Sequence, residues 1–370
     1  MTYLKNATIF HAIEKWAPKH LAYDWDNVGL QVGSYQNEAK KVMITLDVTE
    51  SVVDEAVNKN VDLIIAHHPL LFKPLKHIDI NHPKGRTIQK LIQNNITVYA
   101  THTNLDIANN GVNDMLCDAL DITIQKNLLN TSHEQLMKFV VFVPESHVEQ
   151  IRNALSDSGA GHIGAYSHCT FQSSGQGTFK PLEGTKPYIG TQNELSITQE
   201  MKIETIVTAD QIDQVTQAVF QAHPYEEPAY DIVPLNNKGA VYGLGKVGLL
   251  KDEMTLESLA TKVKQTFSMP GVRVTGELNS KIKKVAILGG SGEKYVDKAY
   301  KMGVDAYITG DMSFHTAQDA MELGLPVIDA GHYIEQVMIQ SVRQYVAAYF
   351  QDHDLECVAS EINTDPFQFI

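Results

Sequence analysis

Two histidines stand side by side in Ile64-Ile65-Ala66-His67-His68-Pro69, where a continuous apolar run breaks off at a proline. Imidazole is the commonest metal-binding side chain. Neighbouring side chains on a strand point to opposite faces, so both histidines reach one site only where the strand ends and twists, or else they serve two ions. Tyr99-Ala100-Thr101-His102-Thr103-Asn104-Leu105-Asp106 ends another such run with a further imidazole and a carboxylate. Far downstream, Asp329-Ala330-Gly331-His332-Tyr333-Ile334-Glu335 repeats the pattern, with histidine and glutamate three residues apart on one face of a first helical turn.

These segments nominate His67, His68, Asp106, His332 and Glu335 as ligands of divalent metal. Mixed imidazole and carboxylate donors suit zinc, iron or manganese, and no cysteine lies near enough to suggest a structural thiolate site. A carboxylate can bridge two ions, so Asp106 or Glu335 could serve a pair at the roughly 3.5–4 Å spacing of two-metal hydrolases. For Asp106 the plainer alternative is a cap on the helix that follows Asn109. Thr309-Gly310-Asp311 and His315 are candidates for supporting such ligands from behind.

The elements that must position these residues read as βαβ units. Short β-branched runs at Val42 to Leu46, Asp62 to Ala66 and Thr97 to Ala100 alternate with helical patterns at Ser51 to Lys59 and Arg86 to Gln93. The rhythm predicts a largely parallel sheet, with its site at the C-terminal strand ends. It returns between Lys284 and Phe350. Laying Lys41 on Lys284, a shift of 243 residues, pairs Val42 with Val285, Asp54 with Asp297, Ala56 with Ala299 and Asp62 with Asp305. A slightly shorter shift then sets Thr101-His102 on Gly331-His332, so the pair His102 and Asp106 faces His332 and Glu335. The expected fold is α/β, with two repeat-related halves, residues 1–127 and 247–370, forming one core.

Between the halves, residues 128–246 change in texture to longer strand-like runs flanking helical patterns at Val148 to Ser158 and Ile212 to Ala222. The order strand, helix, strand, strand, helix, strand predicts an inserted α+β ferredoxin-like module. Its glycine-rich stretch from Ser173 to Gly190 reads as an exposed hairpin or mobile loop. Two further motifs resist assignment. Leu288-Gly289-Gly290-Ser291-Gly292 follows a strand and precedes a helix whose free N–H groups could receive an anion, but it matches no nucleotide fingerprint. Asp24-Trp25-Asp26-Asn27-Val28-Gly29-Leu30-Gln31-Val32-Gly33 reads as a loop entering a strand, and its chemistry assigns it no catalytic role.

Composition narrows the function classes. At 370 residues the chain exceeds the usual limit of a single core, and 43% hydrophobic with 20% charged residues is an ordinary globular balance. A net charge of −14 without any basic stripe argues against nucleic acid as a partner. Met1 to Trp16 reads as an amphipathic helix with Ile9, Ile13 and Trp16 on one face and lacks the apolar core of an export signal. No stretch is long enough to span a membrane. Cys117, Cys169 and Cys357 are odd in number and widely separated, which fits a reducing cytoplasm.

Trp25 to Gly33, Ala66-His67-His68-Pro69, Thr101 to Asp106, Thr309-Gly310-Asp311 and Gly331 to Glu335 occur in an order that resembles the Nif-three-like proteins, the GTP cyclohydrolase 1 type 2 homologues. The segment with His223-Pro224-Tyr225-Glu226-Glu227-Pro228 resembles the inserted module of the longer bacterial members, itself similar to small trimeric signalling and metal-tolerance proteins. The resemblance implies two divalent ions per subunit, zinc foremost with iron or manganese as alternatives, on residues matching His67, His68, Asp106, His332 and Glu335. It also implies a homohexamer with the metals facing an internal cavity. Two functions are then expected. One is a metal-dependent hydrolase of a nucleotide or phosphorylated small molecule, in which His102 relays a proton. The other is a non-enzymatic metal-binding or regulatory protein whose inserted module senses a ligand.

Overall fold

The computed structural model describes residues 4–370 and divides the chain into two compact units, one comprising Met1–Ser132 with Tyr242–Ile370 and the other His133–Val241. The boundaries fall inside two long strands, Ile122–Pro144 and Tyr230–Thr255.

The first unit contains both repeats. In the first repeat, Lys41–Thr45, Leu63–Ala66 and Thr97–Ala100 lie parallel, with Gly29–Val32 antiparallel at one edge and Glu356–Ala359 parallel at the other. In the second, Lys281–Ser291, Ala306–Gly310 and Val327–Asp329 lie parallel, flanked by antiparallel strands that include Arg273–Thr275. Every residue of Leu63–Ala66 and of Ala306–Gly310 is buried, as continuous apolar runs require when helices cover both faces of a parallel sheet.

The repeat is legible in the hydrogen bonds. Asp62 accepts from the backbone N–H groups of Lys40 and Lys41 at 2.8 and 3.0 Å, and Asp305, 243 positions on, accepts from Lys283 and Lys284 at 2.9 and 2.8 Å. Asn60 and Gly303 both take positive φ at the turn into the second strand. At the third strand the structure differs from the sequence alignment by one residue. Ile64 pairs with Val98 and Tyr307 with Val327, so the third strands are related by 229 positions. That register sets Asp106 on Glu335 but places Gly331 opposite His102 and His332 opposite Thr103. The carboxylates are therefore repeat partners, whereas the histidines are not.

The helix at the N-terminus runs Asn6–Trp16, with Ile9 and Ile13 buried, and the part of its expected range before Leu4 lies outside the described residues. The Trp16 ring lies tilted against Tyr345 of the long helix Val337–Tyr349, centroids 4.5 Å apart, so the first and last helices pack together. After that helix the chain adds Glu356–Ala359 to the first sheet, and its final segment is pinned by Ser360 and Glu361 to the Glu55 carboxylate. Among the described residues no helix is long and apolar enough to cross a membrane.

In the second unit the chain runs through strand, Val148–Asp157, Thr170–Phe179, Ser196–Thr208, Ile212–Ala222 and strand. Thr170–Phe179 pairs antiparallel with Ser196–Thr208 along its whole length, so the glycine-rich stretch forms one arm of a hairpin closed by residues 180–195. A separate apolar core built on Phe139, Val141, Ile151, Leu155, Ile203 and Val219 holds this unit together.

Candidate metal centre

His67 and His68 sit where a buried strand has just run out, and Asp106, His332 and Glu335 stand in the short helical turns that follow two others. Beyond Ala66 the backbone keeps following the neighbouring strand for two residues, with His67 N–H donating to Thr45 at 3.2 Å and His68 N–H to Leu46 at 2.9 Å. The fully buried His67 donates from Nδ1 to the Thr101 carbonyl at 2.8 Å, which aims Nε2 at Asp106 Oδ1, 3.5 Å away, and Glu335 Oε2, 3.7 Å away. His68 donates from Nδ1 to Asp47 at 2.7 Å and brings Nε2 to 3.1 Å from Glu335 Oε2. From the second repeat, His332 donates from Nδ1 to Asp311 at 2.7 Å and brings Nε2 to 3.2 Å from the same glutamate oxygen. Three imidazoles thus turn one edge to an anchoring oxygen and the other to Glu335, the arrangement by which outer partners fix a metal-binding histidine.

Asp106 stands in the short helix Thr103–Ile107 and is buried. It does not cap the next helix. Its backbone carbonyl holds the Asn113 amide at 2.9 Å, and that helix, Val112–Ala119, has Gly111 at its cap position and no side-chain cap. Among the described residues His67 Nε2 and Asp106 Oδ1 are buried polar atoms without a hydrogen-bond partner, although they face each other. Leaving two such atoms unsatisfied costs about 1–3 kcal/mol each, which a cation between them would remove. Three sets of ligand atoms lie within 4.8 Å of one another: His67, His68 and His102; His68, His332 and Glu335; His67, Asp106 and Glu335. The five ligands named from the sequence and His102 are therefore brought together.

His102 has its own anchor. Its Nδ1 donates to Asp26 Oδ1 at 2.9 Å, while Asp26 Oδ2 accepts from the Thr103 backbone N–H at 3.0 Å and from the Thr103 hydroxyl. Asn27 donates to the Leu71 carbonyl at 2.8 Å, and Gln31 accepts from the Leu71 N–H at 3.0 Å. The Asp24 to Gly33 motif thus ties down the loops that carry His68 and His102, a task its sequence did not disclose. Asp47 and its hold on His68 were likewise missing from the sequence reading.

The glycine-rich turn has a steric purpose. The strand continues through Ser291, and a Cβ on Gly290, whose φ is +61°, would stand 2.5 Å from Glu335 Oε1. A Cβ on Gly289 would meet Glu335 Cγ at 3.1 Å. These residues make room for the glutamate, and the helix beyond is only Val296–Lys301. Of the expected supporting residues, Asp311 reaches the site through His332, whereas His315 bonds to Gln318 on an exposed helix.

The electrostatics follow from burial and these contacts. Burial pushes the His67 pKa down to about 3, so its imidazole is neutral. Burial opposes charge on His68 as well, yet the hydrogen bonds to Asp47 and Glu335 prevail and raise it to about 9. At His332 the bonds to Asp311 and Glu335 outweigh burial in the same way and raise it to about 11. Burial and the neighbouring Glu335 charge raise Asp106 well above the usual carboxylate range, while the bonds from His332 and His68 overcome burial and hold Glu335 well below it. Asp47→Ala frees His68 to rotate and is expected to weaken zinc binding about ten- to a hundredfold with the fold retained. Chelator competition on the purified variant reads the loss.

Parallel α/β repeats that gather imidazoles and carboxylates at their strand ends define the class, an α/β protein with a candidate metal centre. The chain belongs to the Duf34/NIF3 (NGG1p interacting factor 3) family, whose sequence profile matches residues 4–366. It is 48% identical over 365 residues, 98% of each chain, to the GTP cyclohydrolase 1 type 2 homolog of Halalkalibacterium halodurans, and 48% identical over 364 residues to that of Bacillus subtilis, again 98% of each. A Bacillus cereus protein related to NIF3 superposes with a TM-score of 0.93 at 47% identity, covering 100% of both chains. A Staphylococcus aureus protein superposes over 100% of both with a TM-score of 0.77 at 35% identity.

Proposed function

We propose that the chain holds two divalent cations on His67, His68, Asp106, His332 and Glu335 and hydrolyses a nucleotide or phosphorylated small molecule, in the manner of a GTP cyclohydrolase. The observation that carries this reading is the convergence of Nε2 atoms on one shared glutamate beside the unpartnered Asp106, inside a cavity of about 1180 Å³. Zinc suits the donor set, as do iron and manganese. When bound, the cations would lower the pKa of water and stabilise charge that develops on the substrate.

The chain's own residues supply the rest. Glu335 and Asp106, one from each repeat, would hold the cations and offset their charge. His102 is held by Asp26 with its ring 5.2 Å from that of His67 and 5.6 Å from that of His68, placed to carry a proton between water and the leaving nitrogen. With GTP, the N7–C8 and C8–N9 bonds of guanine would break with the uptake of two waters, and C8 would leave as formate.

Formate release from GTP by zinc-loaded protein tests the reading. His102→Gln is expected to keep the wild-type zinc content and lose turnover at least about a hundredfold, the usual contribution of a positioned acid–base group. Full turnover in this variant removes His102 from the mechanism, and zinc binding without turnover on any nucleotide or phosphoester removes the hydrolase. A regulatory reading then takes its place. It draws support from a cavity of about 680 Å³ in the second unit, lined in part by Tyr188, Tyr225 and Glu200, where a small ligand could be sensed. Assembly as a homohexamer, carried over from the family resemblance, forms part of the proposal and is read by light scattering.

A further inference from the structure

We infer that the cavity recognises its ligand at two ends, a flat heteroaromatic ring at Trp25 and Phe72 and a phosphate at Arg273, with Lys294 and the candidate metal centre between them. This rests on the proposed reading of the cavity as a nucleotide site, but it concerns binding and is tested apart from turnover.

The histidines form a row that gives the cavity a direction. Trp25 lies 6.4 Å from the His102 ring, His102 lies 5.6 Å from His68, and His68 lies 5.0 Å from His332. At the His102 end, Trp25 and Phe72 meet edge to face at 5.8 Å while remaining 59% and 46% exposed, so two large apolar rings face solvent beside a polar centre. Both line the cavity. Exposed rings so placed offer a stacking surface for a planar ligand.

At the opposite end a cation, Arg273, stands beside the carboxylates of Asp311 and Asp329. Past His332 stands Asp311, and Arg273 donates to the carbonyl of the next residue, Met312, at 2.9 Å and to the Asp329 carboxylate. One guanidinium nitrogen is thereby fixed while two thirds of the side chain stays exposed. Lys294 stands on the wall that joins the two ends, because its neighbour Glu293 accepts from the N–H of Ser313, the residue after Met312, at 3.1 Å, while its other neighbour Tyr295 interacts with Tyr23, which stacks on Trp25 at 5.7 Å. Arg273 and Lys294 are the two Lys or Arg side chains among the described residues that line this cavity. A guanidinium held from one side with its other donors open is suited to a phosphate. C8 of guanine is bonded to N9, which carries the sugar, so the reacting carbon lies on the edge of the ring nearest the phosphates, toward the row of candidate ligands.

The test uses zinc-loaded full-length protein with three probes, guanosine 5′-monophosphate, guanosine and inorganic phosphate, titrated by calorimetry and by tryptophan fluorescence. The nucleotide is expected to bind more tightly than either fragment and to quench Trp25. Arg273→Gln and Lys294→Gln are each expected to weaken the nucleotide about ten- to a hundredfold, the worth of a charged hydrogen bond, and to leave guanosine and zinc content unchanged. Trp25→Ala should weaken nucleotide and guanosine equally. Nucleotide affinity unmoved in Arg273→Gln and Lys294→Gln would overturn the inference even if GTP is turned over. Equal losses for guanosine and nucleotide, or lost zinc, would reduce Arg273 to a structural clamp on Asp329 and overturn it too. Binding that depends on Arg273 without turnover would uphold it and sink the hydrolase.

Discussion

Glu335→Gln is expected to weaken zinc binding by about a thousandfold, an order beyond what the loss of an outer hydrogen-bond partner costs. The amide keeps the shape of the carboxylate, so the cradle at Gly289 and Gly290 still accepts it. What disappears is the charge that faces His67, His68 and His332 together. Elemental analysis after gel filtration should find two equivalents of zinc in the wild type and essentially none in the variant, with unchanged circular dichroism. Two retained equivalents would show that Glu335 is no ligand. Asp106, its repeat partner, has among the described residues one histidine nitrogen within ion-pair distance, His67 Nε2 at 3.5 Å, so Asp106→Asn should be the milder substitution.

Zinc affinity is expected to rise steeply with pH. His68 and His332 are held charged, up to about 9 and about 11, and each must lose its Nε2 proton before that nitrogen can meet a cation. Each displaced proton multiplies apparent affinity about tenfold per pH unit, so the two together give about a hundredfold per unit near neutrality, with the slope easing above about pH 9. Asp106, whose pKa is also raised, adds to the release. In the metal-free protein the same histidines act in the opposite direction on stability. Their contribution is complete below the ordinary value of 6.5 and is lost as pH climbs through about 9 and then about 11. Calorimetry in buffers of different ionisation heat counts the released protons. An affinity flat across neutral pH would show that neither histidine binds the ion.

The candidate site was largely legible because its donors lie at or just beyond strand ends, where an apolar run stopping before His67-His68 or before Thr101-His102 is visible locally. The repeat was legible for the same reason, since Lys41 and Asp62 recur as Lys284 and Asp305 at constant spacing. The third strand was misaligned by one residue because the apolar residues around Val98 and Val327 match about equally well in either register. Only the ladder, pairing Ile64 with Val98 and Tyr307 with Val327, decides it. Asp26 and Asp47 were hidden for another reason. Each holds a histidine 76 or 21 residues away, and no periodicity announces a partner at such a distance. The glycines at 289 and 290 act by lacking bulk beside a side chain far along the chain, which local sequence cannot reveal.

The last segment of the chain completes the first sheet, through the strand Glu356–Ala359 beside Lys41–Thr45. Thr364 then donates to the Asp47 carboxylate that anchors His68, at 2.6 Å. The strand beside that of His67 and His68 is thus covered, and the carboxylate that holds His68 is steadied, by a residue 317 positions further along. Peeling Glu356–Ala359 away from the sheet would therefore loosen His68 as well, so local opening of this edge and disorder at the centre are one event.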